Sequence, residues 1–248
     1  MKNVNLYNNT GINYKQIIEV DLSECKNDND IFNVFKSALK FPEWFGENWN
    51  SFHDCMANLC FEIKDILVVK VLGLKNIYSI SKHSANCVLE ELIELDNGKS
   101  TQDNGERVNA IVYLEYCEEI IKALYSRNDS LSGEQKDAFG KFAIDLFETF
   151  PDFRYDGEVE LAYILAGEFV DYMASLIGVD EKELDKALRF IEKLQNDKRQ
   201  CIKELATIGF VEAIQNSWNE ENKKTIYPKL GKKTKKAWNE LNKFWAGK

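Results

Sequence analysis

His53, Asp54 and Cys55 stand in succession, and Cys60 follows five residues later. These are the residue types from which metal sites and nucleophilic centres are built. On a helix the four do not share one face, and no second cluster completes a four-ligand set, so no metal is expected. Cys55 and His53 do not form a nucleophile and base pair either, because helix residues two apart point in different directions. The chain holds one other histidine, His83. That poverty removes the commonest general base from most of the sequence. Neither glycine-rich phosphate-binding pattern occurs. These residues offer no constellation for enzymatic turnover, and no cofactor is expected.

The elements that would position these residues can be read around them. The run is Phe41-Pro42-Glu43-Trp44-Phe45-Gly46-Glu47-Asn48-Trp49-Asn50-Ser51-Phe52-His53-Asp54-Cys55-Met56. Asn48 is a suitable N-cap, its side-chain oxygen able to accept from the amide of Asn50 or Ser51. Trp49, Phe52, Met56 and Leu59 recur at steps of three and four, so they form one stripe toward a core. Asn50, His53, Asp54 and Ala57 then face the other way. Pro42 and Gly46 shape the preceding loop, and Trp44 and Phe45 are expected to present large rigid surfaces from it. A Trp-Phe pair beside a glycine is most often plain core, and a lone aspartate on a helix is most often merely solvated. What favours a functional surface is that Pro42, Gly46, Asn48, Asp54 and Cys55 match, in order, the family signature that the run resembles.

Ile17–Leu22, Ile66–Leu72 and Asn109–Leu114 read as strands, the second apolar enough for a central strand buried on both faces. Helices are predicted over Ile31–Leu39, capped by Asn29 or Asp30, and over Ser84–Leu95, stopped by Asp96-Asn97-Gly98. Strands joined through helices favour parallel pairing, with helices packed on the sheet. From about Glu118 strand patterns give way to amphipathic helices over Phe139–Phe150, Glu158–Ile177, Glu181–Leu194, Arg199–Ser217 and Lys232–Trp245. The expected organisation is an α/β domain over 1–117, a linker or connecting helix over 118–132, and an all-α domain over 133–248.

The run from Phe41 to Met56 resembles the signature of barstar-like ribonuclease inhibitors. The resemblance spans roughly residues 15–116 and implies a three-stranded parallel sheet with helices. It also implies that the loop and helix plug the active site of a basic ribonuclease. Trp44 then takes the place of the contacting loop aromatic and Asp54 that of the main inhibitory aspartate. Glu94 is a looser match to a second acidic contact. Asn50 stands where the family commonly has an earlier aspartate, and His53 where barstar has a tryptophan. The implied partner-binding set is Trp44, Phe45, Asn50, His53, Asp54 and Glu94. His53 beside Asp54 offers either a pH-sensitive contact or an ordinary surface histidine. Asn50 in place of an acid leaves room for a different ribonuclease or another toxin. Thr207-Ile208-Gly209-Phe210-Val211-Glu212-Ala213-Ile214 and Tyr227-Pro228-Lys229-Leu230-Gly231 resemble an uncharacterised helical domain of bacterial immunity-type proteins. An alternative role is neutralisation of a non-ribonuclease toxin through that domain.

Composition agrees with a protein-binding role. The chain has 248 residues and a net charge of −9, which should repel nucleic acid and attract basic partners. Residues 1–117 hold 11 basic against 17 acidic side chains, and the last 27 residues hold nine lysines and one glutamate. Trp238 and Trp245 interleave with those lysines in a pattern that suits nucleic-acid stacking. The better reading makes Trp238, Leu241 and Trp245 the buried face of a last helix, with lysines solvated or drawn to the acidic middle of the chain. Cys25, Cys55, Cys60, Cys87, Cys117 and Cys201 show no paired CxxC spacing and are expected to be free thiols. No run of about 18 apolar residues is present, and the start lacks a signal-peptide profile. A cytoplasmic location without membrane contact is expected.

Overall fold

The computed structural model describes residues 5–6, 16–59, 67–96, 110–153, 155 and 161–247. By contact density the chain divides into two units, residues 1–123 with 155–158, and residues 124–154 with 159–248.

The first unit is built on a parallel sheet. Strands β1 (Asn5–Leu6), β2 (Gln16–Asp21), β3 (Leu67–Leu72) and β4 (Ala110–Leu114) lie in the order β1-β4-β3-β2. The three predicted strands are present, and the two-residue β1 adds to the edge at β4. Leu67, Val68, Val69 and Val71 are buried, as a central strand covered on both faces requires. Lys70 is directly opposite Glu19 on the edge strand β2, and their side chains pair at 3.0 Å. Ile66, Asn109 and the polar stretch 98–108 lie outside the described residues.

Helices α1 (Asp28–Ala38) and α2 (Trp49–Ala57) lie between β2 and β3 in the chain. Helix α1 starts earlier than expected, because the cap is Asn27, whose side chain accepts from the amide of Asp30. Asp30 in turn accepts from the amide of Lys26 and from Asn27 Nδ2, which ties the preceding residues to the first turn. Between β3 and β4 come α3 (Leu74–Ile80) and α4 (Lys82–Asp96). Helix α3 was not legible in the sequence, since two turns are too short to show a period. Gly73, at φ +73°, turns the chain into it. A Cβ there would lie 2.3 Å from the backbone nitrogen of Ser23, so only glycine fits. Helix α5 (Glu118–Arg127) occupies most of the stretch expected to connect the two parts.

Every regular element of the second unit among the described residues is a helix. The unit comprises α6 (Gly133–Thr149), α7 (Ala162–Leu176), α8 (Glu181–Gln195), α9 (Gln200–Glu204), α10 (Ala213–Ser217), α11 (Glu220–Ile226) and α12 (Lys232–Ala246). A π-helical stretch, Leu205–Glu212, joins α9 to α10 without a break. The start predicted for α7, at Glu158, lies outside the described residues. Phe142, Phe150, Phe153, Phe169 and Phe210 are buried at the centre, with the Phe150 and Phe169 rings 4.6 Å apart. Gly209 faces α7 so closely that a Cβ would meet that of Ala166 at 2.9 Å.

One expectation for α12 is corrected. Trp238 is buried, but Trp245 is 44% exposed and Phe244 60%. The inner face is Thr234, Ala237 and Trp238, and the last turns run past the core. The expected attraction to the acidic middle is visible at Lys229, which pairs with Glu181 and, at 3.2 Å, with Asp185. Among the described residues no helix is long and apolar enough to cross a membrane.

Candidate functional site

The loop before α2 is tied by its own polar groups. The amide of Phe45 donates to the carbonyl of Pro42 at 3.0 Å, closing a turn. Asn48 accepts from the amide of Ser51 at 3.0 Å, and its amide nitrogen donates to the carbonyl of Gly46. Ser51 Oγ accepts from the amide of Gly46 at 2.9 Å. These contacts set both the start of α2 and the path of the loop that precedes it.

Phe52, Met56 and Leu59 are buried, as the apolar stripe requires, and Cys55 beside them is buried as well. Trp49 is half-buried, and its indole N–H donates to Asp28 Oδ2 at 3.0 Å. The other oxygen of Asp28 accepts from Ser84 Oγ at 2.6 Å. One carboxylate from α1 therefore clasps α2 and α4. Sequence reasoning missed Asp28 and Ser84, because the contact spans 56 residues.

Trp44 stands 64% exposed on the loop. Phe45 does not share that surface. It is 4% exposed, with its ring 5.1 Å from Phe41 and 5.8 Å from Phe32. The turn at Pro42 directs adjacent side chains to opposite sides, and the core takes Phe45. Asn50, His53 and Asp54 are all exposed on the outer side of α2. The structure brings His53 and Glu94 together, with Glu91 between the helices as a third member. His53 Nδ1 lies 2.7 Å from Glu91 Oε1, and donor atoms of all three residues lie within 4.8 Å of one another.

Comparison with known families bears on this face. Residues 15–109 match the barstar (barnase inhibitor) family model. The N-terminal unit is barstar-like. A separate match covers residues 143–246, to a family described as a domain of unknown function (DUF7674). No curated protein matches the chain.

The electrostatics of this face centre on His53 and its two carboxylate neighbours, Glu91 and Glu94. Asn50 contributes no charge. His53 is raised above the ordinary imidazole pKa by its hydrogen bond to Glu91 and by that carboxylate's charge, with smaller contributions from Glu94 and Asp54. Burial raises the pKa of Glu91, and the pull of His53 in the other direction is weaker. The cluster thus gathers two carboxylates and one imidazole at the junction of α2 and α4. Glu91 and Glu94 share a helix face by their spacing, a signal present in the sequence. That this face meets α2 is decided by the fold.

Proposed function

We propose that the barstar-like domain binds a basic ribonuclease and blocks its active site, as an immunity-type protein acting by stoichiometric binding and not as an enzyme. The observation that carries this reading is Asp54. It is exposed on a helix whose back is buried and whose start is capped, within the region matched by the barstar family. A ribonuclease cleft binds a polyanion and is lined with cations. A carboxylate on a rigid helix can occupy a phosphate position and form charge-assisted hydrogen bonds there. Because the helix is already ordered, little conformational freedom is lost on binding. Trp44 supplies an aromatic anchor that excludes water, and Asn50, His53 and Glu94 complete the contact. Phe45 supports the loop from inside. The net charge of −9 steers a basic partner toward the complex.

The test is inhibition of a barnase-like ribonuclease by the wild-type chain and by Asp54→Ala. Truncating one member of a buried charge pair is expected to weaken the complex by about 2–5 kcal/mol. Wild-type protein that does not inhibit such an enzyme overturns the reading. A second reading draws on exposed Phe244 and Trp245 at the end of the lysine-rich α12. In that reading the helical domain captures a toxin of another class, and Asp54→Ala leaves protection of the host cell intact.

A further inference from the structure

We propose that His53, Glu91 and Glu94 form a binding site for a zinc-class divalent cation on the outer face of the barstar-like domain. The proposal rests on the donor set and its supports, and it stands whether or not the partner is a ribonuclease.

The donors are suited to such an ion. One imidazole nitrogen and two carboxylate oxygens are ordinary zinc ligands, with bonds of about 2.0–2.2 Å. Donors around a tetrahedral zinc are therefore about 3.4 Å apart. Here the Nδ1 to Oε1 distance is 2.7 Å, and every pair among the three lies within 4.8 Å, a spread that brackets the required spacing. Glu91 is well enclosed, its side chain 14% exposed. The side chain of His53 is 56% exposed and can rotate to adjust, and Glu94 is intermediate. The exposure of His53 gives water access, and a water would supply a fourth ligand.

The supports matter as much as the donors. Glu91 and Glu94 are three residues apart on α4, so they project from one face. His53 comes from α2. The Asp28 clasp on Trp49 and Ser84 holds α2 and α4 together, so the ligands are presented from two fixed helices rather than from a loop. Two adjacent carboxylates, one of them largely buried, raise the local demand for a cation. The imidazole directs the choice toward zinc, since magnesium and calcium require mainly oxygen ligands in greater number.

One rival location exists on the same helix. Cys87 Sγ lies 3.7 Å from His83 Nε2, and that pair could also ligate zinc.

The experiment is calorimetric titration of zinc chloride into the full chain, repeated with magnesium chloride. One zinc per chain is expected, with magnesium far weaker. Losing a mere hydrogen-bond partner of a ligand costs roughly tenfold in metal affinity, and losing a ligand should cost at least as much. His53→Ala, Glu91→Gln and Glu94→Gln should therefore each weaken zinc binding tenfold or more. Glu90→Gln, which removes a neighbouring charge but no ligand, and Cys87→Ser should bind zinc as the wild type does. Circular dichroism melting of each variant shows whether it is folded. Zinc binding that survives His53→Ala, or that is lost in Cys87→Ser, overturns the proposal. So do equal affinities for zinc and magnesium, and so does an absence of zinc binding. Failure to inhibit a ribonuclease leaves these outcomes unchanged.

Discussion

Trp44 and Phe45 are chain neighbours whose surroundings assign them different work. Phe45 is enclosed by Phe32 and Phe41, so Phe45→Ala should cost about 3–5 kcal/mol of stability, measured by urea unfolding. Trp44→Ala should change stability by roughly 0.5 kcal/mol or less, while weakening any complex that uses the loop. A result in which Trp44→Ala is the more damaging to stability would mean that its ring is packed in solution. Cysteine chemistry divides in a similar way. Burial, then the hydrogen bond to Glu119, pushes the Cys117 thiol up to about 12. At pH 8 it is protonated and enclosed. Alkylation followed by mass spectrometry should modify Cys87, which is only partly covered, well before Cys117.

Helix α12 depends on a carboxylate from another element. Glu192 on α8 accepts from the amides of Lys233 and Thr234 at 2.9 Å and from Thr234 Oγ1 at 2.7 Å. These are the donors that the first turn of a helix leaves unpaired. Gly231 permits the approach, since a Cβ there would lie 2.3 Å from the Glu192 carboxyl carbon. Glu192→Ala should destabilise the helical unit by about 1–2 kcal/mol, as loss of a cap does. Burial pushes the Glu192 pKa up, but the hydrogen bonds from Lys233, Thr234 and Asn196 outweigh it, and the net shift is downward. Asp197 is lowered to about 2, chiefly by the side-chain hydrogen bonds from Arg199. Groups with depressed folded values stabilise above the ordinary carboxylate range and lose that contribution as pH falls through the folded value. The helical unit should therefore lose stability progressively from about pH 4 down to about 2, where Asp197 protonates. Melting curves across that range test it, and Glu192→Ala should flatten the upper part of the dependence. At the π-helical stretch, Gly209→Ala should cost about 1–3 kcal/mol through crowding against Ala166.

The molecule as a whole is acidic, while its last segment is strongly basic. If a basic partner is steered by this field, the association rate should fall steeply between low and physiological salt, as the screening length shortens to about 8 Å. Stopped-flow rates that do not change with salt would remove steering from the account. Much of the fold was legible in the chain. Strands with helices between them implied parallel pairing, and the steps from Trp49 to Leu59 implied which side of α2 is buried. These are local patterns, and burial acts on each element according to its own period. The site was only partly legible. Asn50, His53 and Asp54 are exposed because their helix has one apolar stripe, and that stripe is written in the sequence. Phe45 turned inward and Trp245 outward against expectation, because aromatic content does not say which side of a loop or which turn of a helix meets the core. Asp28, Ser84 and Glu91 were missed for a different reason. The contacts of Asp28 with Trp49 and Ser84, and of Glu91 with His53, join residues 21 to 56 positions apart. No local pattern encodes such contacts, and only the packing of α1, α2 and α4 in three dimensions decides them.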